Sequence, residues 1–227
     1  MRRYLGEFLS DKRVVDYSAW VWQPLLQLVI LSKRPFSSGA AYKGIWNEED
    51  NESPLLTITK KQTAAMKSRL EDVYGGEVVV DFCMRYGNPS TKSKVQQMIA
   101  EGCQKILFFP CQCQKTTRLL KERLGWGDTQ IITTFQSRFG PEEWLQPYTV
   151  EEVARLAEKG KTNIAVCAPA FSADCIETLE EINEEIKESF EEAGGEHFTY
   201  IPCLNDNDAH MDALTGIVQR NLRGWLE

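Results

Sequence analysis

From Glu77 onward the chain alternates short, β-rich apolar runs with amphipathic stretches of helical period, and this rhythm constrains its fold more than any other feature. The predicted order is strand Glu77–Phe82, helix Ser90–Ala100, strand Lys105–Phe109, helix Thr116–Leu124, strand Gln130–Phe135, helix Thr149–Glu158, strand Asn163–Val166, an acidic helix, strand His197–Ile201 and helix Ala209–Leu226. Strands separated by helices do not pair as hairpins, so they run parallel and need helical cover. The expected class is α/β, with parallel sheets flanked by helices. Before Glu77 the sequence reads as helical. A short helix over Met1–Ser10 leads to an apolar segment, Tyr17–Leu31, interrupted by Pro24; a short helix within Gly39–Asp50 follows, then an amphipathic helix, Leu55–Val73, ended by Tyr74-Gly75-Gly76.

The acidic helix is the first place to look for chemistry. The apolar run Ile164–Ala170 passes directly into Phe171–Glu188, and a helix that starts at the carboxyl end of a strand starts where open α/β folds build their sites. At about 100° per residue, Glu177, Glu181, Glu184, Glu185 and Glu188 share one arc, opposite Leu179, Ile182, Ile186 and Phe190. Two readings are open. The glutamates form a solvated face, with Asp174-x-x-Glu177 as a capping box, or they form a desolvated stack suited to a divalent cation or a proton relay.

With 42% hydrophobic and 26% charged residues in 227, the chain is expected to be a soluble globular protein of one or two domains. A net charge of −7 without a long basic block excludes nucleic acid as a main partner. Seven cysteines, an odd number, with no signal peptide ahead of them point to a reducing cytoplasm. Cys111-Gln112-Cys113 reads either as buried thiols or as part of a thiolate metal site. Tyr17–Leu31 is too short and broken to span a bilayer. It is either a core helix or an apolar lip, from Trp20 to Leu31, that receives a flat hydrophobic ligand or rests on a membrane surface beside Lys33-Arg34.

Two segments repeat one pattern. Val78-Val79-Val80-Asp81-Phe82-Cys83-Met84-Arg85-Tyr86-Gly87-Asn88-Pro89 and Ile131-Ile132-Thr133-Thr134-Phe135-Gln136-Ser137-Arg138-Phe139-Gly140-Pro141 each read strand, Arg-aromatic-Gly, Pro, and each precedes a helix, a strand and a proline. Two related half-domains follow from this, with Arg85 and Arg138 at strand ends. Each arginine either clamps a carboxylate or pins its own loop.

Several uncommon motifs, in order, resemble the ferrochelatase family, enzymes that insert ferrous iron into a porphyrin. They are Arg3-Tyr4-Leu5-Gly6-Glu7-Phe8-Leu9-Ser10-Asp11, Ser53-Pro54-Leu55, Met84-Arg85-Tyr86-Gly87-Asn88-Pro89, Phe135-Gln136-Ser137-Arg138-Phe139-Gly140, Trp144-Leu145-Gln146-Pro147, Phe171-Ser172-Ala173-Asp174-Cys175-Ile176-Glu177-Thr178-Leu179 and Ile201-Pro202-Cys203-Leu204-Asn205-Asp206. The resemblance implies an incomplete pair of Rossmann-like chelatase half-domains, residues 1–110 with the helical lip and 111–227 with the acidic helix. It implies a lyase of haem biosynthesis, cytoplasmic and peripheral to the membrane, acting on protoporphyrin IX or coproporphyrin III. Ferrous iron enters as substrate; no resident cofactor is required and a [2Fe–2S] cluster is not expected. By position, Glu177 matches the family's active-site glutamate, which holds metal and takes pyrrole protons, and Glu181 and Glu185 match carboxylates that feed metal or drain protons. Arg85 and Tyr86 match residues on the porphyrin's other face, and Trp144, Phe171 and Asp174 match pocket walls.

The sequence also departs from the family. The resemblance implies a strand and a glycine-containing loop ahead of the first helix, whereas Met1 opens on that helix. It also implies a long segment between Pro110 and Cys111 that carries a Ser-aromatic-His-Gly motif, whose histidine is the family's principal metal ligand and proton acceptor. The two histidines present, His197 and His210, stand outside that motif and are expected to serve surface or capping roles. The alternative function is therefore a catalytically impaired chelatase that at most binds porphyrin or divalent metal.

Overall fold

The computed structural model describes residues 1–12, 14–15, 17–107, 122–125, 127, 130–136 and 145–225. Its contacts separate two compact units, Met1–Phe109 with Asp208–Glu227, and Pro110–Asn207. The closing helix, which the sequence reading placed with the second half, packs within the first unit.

In the first unit, α1 (Arg2–Ser10) is followed by α2 (Ala19–Leu25), a π-helical stretch (Leu26–Ile30) and α3 (Leu31–Gly44). The widened turns lie between Pro24 and Pro35, each of which removes an N–H from the helical ladder and crowds the carbonyl four residues earlier. Trp22 Nε1 donates to the Leu9 carbonyl at 2.7 Å, satisfying an acceptor in the last turn of α1. Trp22, Leu26 and Leu31 are buried. The other face of the same segment is bare: Trp20 is 91% exposed and Leu28 76%, with Val21, Leu25 and Val29 also exposed. The core-helix reading of Tyr17–Leu31 therefore holds for one face of the segment, and the other face is apolar and exposed.

Helix α4 (Pro54–Tyr74) starts at Ser53, whose Oγ accepts from the Leu56 N–H, with Pro54 in the first turn where its missing N–H costs nothing. It stops at Gly75, whose φ of 62° is the left-handed cap that a side chain would resist. Helix α5 (Thr91–Ala100) is capped in the same way by Ser90.

The strand expected over Glu77–Phe82 does not form. Val78 and Val80 pack against Leu70, Val218 and Leu222 while Val79 is exposed, so the alternation of a strand is present without a ladder. Residues 105–107 and 130–134 likewise form no strand, and Phe135 makes one isolated parallel bridge to Tyr148. The remainder of the strand expected over Lys105–Phe109, and most of the helix expected over Thr116–Leu124, lie outside the described residues.

The second unit holds a two-stranded parallel sheet, as expected, of β1 (Asn163–Cys167) and β2 (His197–Ile201), in register from Asn163 with His197 to Cys167 with Ile201. One face carries Ile164, Val166, Phe198 and Tyr200, which pack on Val153 and Ala157 of α6 (Thr149–Glu158) and on Ile182, Ile186 and Phe190 of the acidic helix. That helix is π-helical over Glu177–Ile186 and continues as α7 (Lys187–Glu192). At Gly195, before β2, an added Cβ would lie 2.1 Å from Phe190 Cε1, so the ring closes over a position only glycine can fill. The chain ends with α8 (Asp208–Leu222) in the first unit.

Candidate functional site

Asp174 is buried just ahead of the acidic helix, and within the helix every fourth residue is buried: Thr178, Ile182, Ile186 and Phe190. In an α-helix of 3.6 residues per turn, a fourth residue runs about 40° ahead, and three such steps would carry the stripe off the core. A π-helix closes its hydrogen bonds five residues apart, with about 4.4 residues per turn, so there the fourth residue lags by roughly 30°. Two lagging steps over Thr178–Ile186 and one leading step over Ile186–Phe190 leave a net drift of only about 20°, and the stripe stays against the sheet.

The same widening arranges the carboxylates. Glu177, Glu181 and Glu185 form a column one residue ahead of the buried one. Burial falls off along it: Glu177 and Glu181 are half-buried, Glu185 exposed. At about 80° per residue Glu180 lands between Glu184 and Glu185, and it too is half-buried. Burial, then the charges of Glu185, Glu181 and Glu184, push its carboxyl above the usual glutamate range. The 100° wheel places Glu180 outside the arc, and so the sequence reading missed it.

A second residue that the sequence did not single out is Gln136. Its Nε2 donates to Glu181 Oε2 at 2.6 Å and to the Glu177 carbonyl at 3.1 Å, tying the first turn of the acidic helix to the segment beside Phe135.

Asp174 is 5% exposed. Its Oδ1 accepts from Tyr200 Oη at 2.5 Å, Thr178 Oγ1 at 3.1 Å and the Cys203 N–H at 3.2 Å, and its Oδ2 accepts from Asn205 Nδ2 at 2.7 Å. Burial works to raise this carboxyl, but the donors from Tyr200, Asn205 and Cys203 hold it below the usual aspartate range. The Cys203 thiol, half-buried beside it, is pushed up to about 12 by loss of solvation. Asp174 thus fastens the start of the acidic helix to the loop after β2, and its own N–H, which a capping box would pair with Glu177, donates instead to Asn205 Oδ1 at 2.8 Å. Phe171, 40% exposed, precedes it on the surface of this unit.

In the first unit Arg85 and Tyr86 grip the end of α1. Tyr86 Oη donates to Asp11 Oδ2 at 2.8 Å, Arg85 Nη2 lies 3.6 Å from the same oxygen, and the Gly87 N–H donates to Glu7 Oε2 at 2.8 Å. Phe8 meets the Tyr86 ring edge to face at 5.3 Å, and the Arg85 guanidinium sits 5.3 Å from that ring's centre. Arg85 thus pins its loop to α1 while its side chain keeps 58% exposure. A groove of about 670 Å³ between α1 and the first π stretch runs from Arg2 and Arg3 to Gln27 and Leu31, and none of the candidate site residues lines it.

Trp144, Arg138, Cys111 and Cys113 lie outside the described residues. Among the described residues, no three His, Cys, Asp or Glu side chains converge to hold a metal ion. His197 begins β2 and His210 lies in the first turn of α8. No described helix is long and apolar enough to cross a membrane.

The family model described as Ferrochelatase matches residues 1–111 and 109–222. A ferrochelatase of Rhodobacter capsulatus is 50% identical over alignments that cover 100% of this chain and 89% of that protein. Ferrochelatases of Rhizobium etli and Rhizobium meliloti are 40% and 39% identical, covering 100% of this chain and 89% and 91% of theirs. The Rhodobacter alignment extends over 311 positions against 227 residues here, so 84 positions of the relative have no counterpart. The two matched segments meet at residues 109–111, where the sequence reading placed the internal gap.

Proposed function

The chain belongs to the ferrochelatase family, and from that premise we propose that Glu177, Glu181 and Glu185 handle metal and protons in the insertion of ferrous iron into a porphyrin. The reaction exchanges two pyrrole N–H protons for Fe²⁺, so a site must accept two protons, deliver a dehydrated cation and hold the macrocycle while its nitrogens turn toward the metal. Glu177 is the group assigned to the exchange itself, as base and ligand. Glu181 and Glu185 extend from it toward solvent as a graded path for metal in or protons out. The observation that carries this assignment is the widened helix, which sets three glutamates in one column whose burial decreases away from the strand's carboxyl end.

Arg85 and Tyr86, within the first unit, and Trp144 and Phe171 are assigned to the macrocycle on their match to the family's motifs. Asp174 contributes through the helix start it holds. The macrocycle is protoporphyrin IX or coproporphyrin III, and parallel assays with the two distinguish them. The bare face of Trp20, Val21, Leu25, Leu28 and Val29, followed by Lys33 and Arg34, fits contact with an anionic membrane surface, where apolar burial and positive charge act together. The alternative of an impaired chelatase has no observation in its favour beyond the gap itself.

The test is metallation by purified protein of Glu177→Gln beside Glu188→Gln, an exposed glutamate farther along the helix. Glu177→Gln is expected to lower kcat by at least about 10²-fold, the usual worth of one positioned acid–base group, and Glu188→Gln to leave it within about twofold. Equal effects would remove the assignment of a directional site.

A further inference from the structure

We propose that Gln136 is a positioning residue for metal handling, its side-chain amide fixing the Glu181 carboxylate against the backbone of Glu177. The proposal rests on the reading that these glutamates handle metal. Both partners of Gln136 Nε2 are acceptors, a main-chain carbonyl and a carboxylate, so the amide has one compatible orientation: its NH₂ group faces the helix with both hydrogens committed. The contact at 2.6 Å to Glu181 is that of a donor on a charged acceptor, and the half-burial of each residue shields it in part from water.

Gln136 is itself held. The neighbouring Phe135 N–H donates to the Pro147 carbonyl at 2.9 Å, and the Phe135 carbonyl accepts from the Thr149 N–H at 3.0 Å and from Thr149 Oγ1 at 3.1 Å, at the start of α6. The amide thus transmits a rigid reference point to a long carboxylate side chain that otherwise samples several rotamers. It touches the helix at two places one turn apart, so it also braces the first π turn, where Glu177 sits. Partners of this kind orient a metal-handling carboxylate, and their loss commonly costs about 10- to 100-fold in metal affinity or activity.

The test uses the full chain, with Zn²⁺ binding by calorimetry as a readout independent of turnover and the KM values for ferrous iron and porphyrin as the kinetic one. Gln136→Ala removes the donor; Gln136→Met keeps the length of the side chain with neither donor nor charge, and serves if the alanine variant folds poorly. Both are expected to weaken Zn²⁺ binding and raise the KM for iron by about 10-fold or more, with the porphyrin KM within about twofold. In a Glu181→Gln background the same substitutions are expected to change Zn²⁺ affinity by less than about twofold, because the group being positioned is already lost. Unchanged Zn²⁺ affinity in Gln136→Met, or a penalty that persists in full without the Glu181 carboxylate, overturns the proposal. Zn²⁺ binding by a wild-type chain that metallates no porphyrin would end the assigned reaction and leave the Gln136 proposal to the binding data; no Zn²⁺ binding at all would end both.

Discussion

Two carboxyl groups in the second unit are displaced in opposite directions, and each predicts its own dependence on pH. Asp174 is held low, so the stability it contributes is complete above its unfolded value of about 3.9 and is lost as pH falls through the folded value. Asp174→Asn turns an amide toward the donors of Tyr200 and Asn205, and should cost about 2 kcal/mol at neutral pH in urea denaturation, with the difference from wild type shrinking below about pH 4. Glu180 is held high, so it stabilises fully below its unfolded value of about 4.3 and that contribution disappears as pH rises through the folded value. Glu180→Gln is therefore expected to melt higher than wild type at neutral pH and to match it near pH 4. A lower melting temperature at pH 7 would contradict the electrostatic account. The sequence offered Asp174 as a pocket wall and a cap; its web of donors comes from Tyr200, Cys203 and Asn205, more than twenty-five residues away, and no local pattern could reveal it. Gln136 was visible only as one letter of a motif, because its role depends on which turn of a distant helix it meets.

The helices and the two paired strands were legible because their signals are local: the serine caps before Pro54 and Thr91, the left-handed Gly75, and the β-branched runs at Ile164 and Phe198. The failures have two physical sources. A parallel strand needs a hydrogen-bonded neighbour from elsewhere in the chain, and Val78–Val80 kept its alternation while docking by side chains alone. The π geometry of Glu177–Ile186 rotates each side chain by about 20° less per residue than an α-helix does, which a fixed wheel cannot express. The packing of that helix is also the most sensitive point in its unit. Gly195→Ala places a methyl group 2.1 Å from Phe190 Cε1 and should cost about 3 kcal/mol by overpacking. Phe190→Ala, which empties a fully buried site, should cost about 3–5 kcal/mol. Combined, the two should cost clearly less than their sum, since the alanine at 195 no longer meets a ring; strict additivity in denaturant titrations would show that the turn, and not the contact, requires glycine.

At the scale of the chain, the path leaves the first unit near Phe109 and returns to it at Asp208, an organisation that the repeat in the sequence did not reveal. The return is sealed by two kinds of contact on α4. Arg69 reaches Asp208 at 2.8 Å and Asp212 at 2.9 Å, but these aspartates are 95% and 71% exposed, and water screens such pairs so that they add little. Val218 and Leu222 instead bury Leu70, which is 1% exposed, together with Val78 and Val80. Apolar burial therefore decides the docking, and the charges refine its register. Arg69→Ala is expected to have a small effect, weakened further by salt, whereas Leu222→Ala should cost about 2–4 kcal/mol and leave its mark locally. In amide exchange, Leu222→Ala should accelerate the amides of α4 around Leu70 by at least about tenfold, while the β1–β2 ladder, which belongs to the other unit, keeps its protection. If both regions lose protection together, the chain unfolds as one cooperative body, and the two units seen in its contacts are not units of stability.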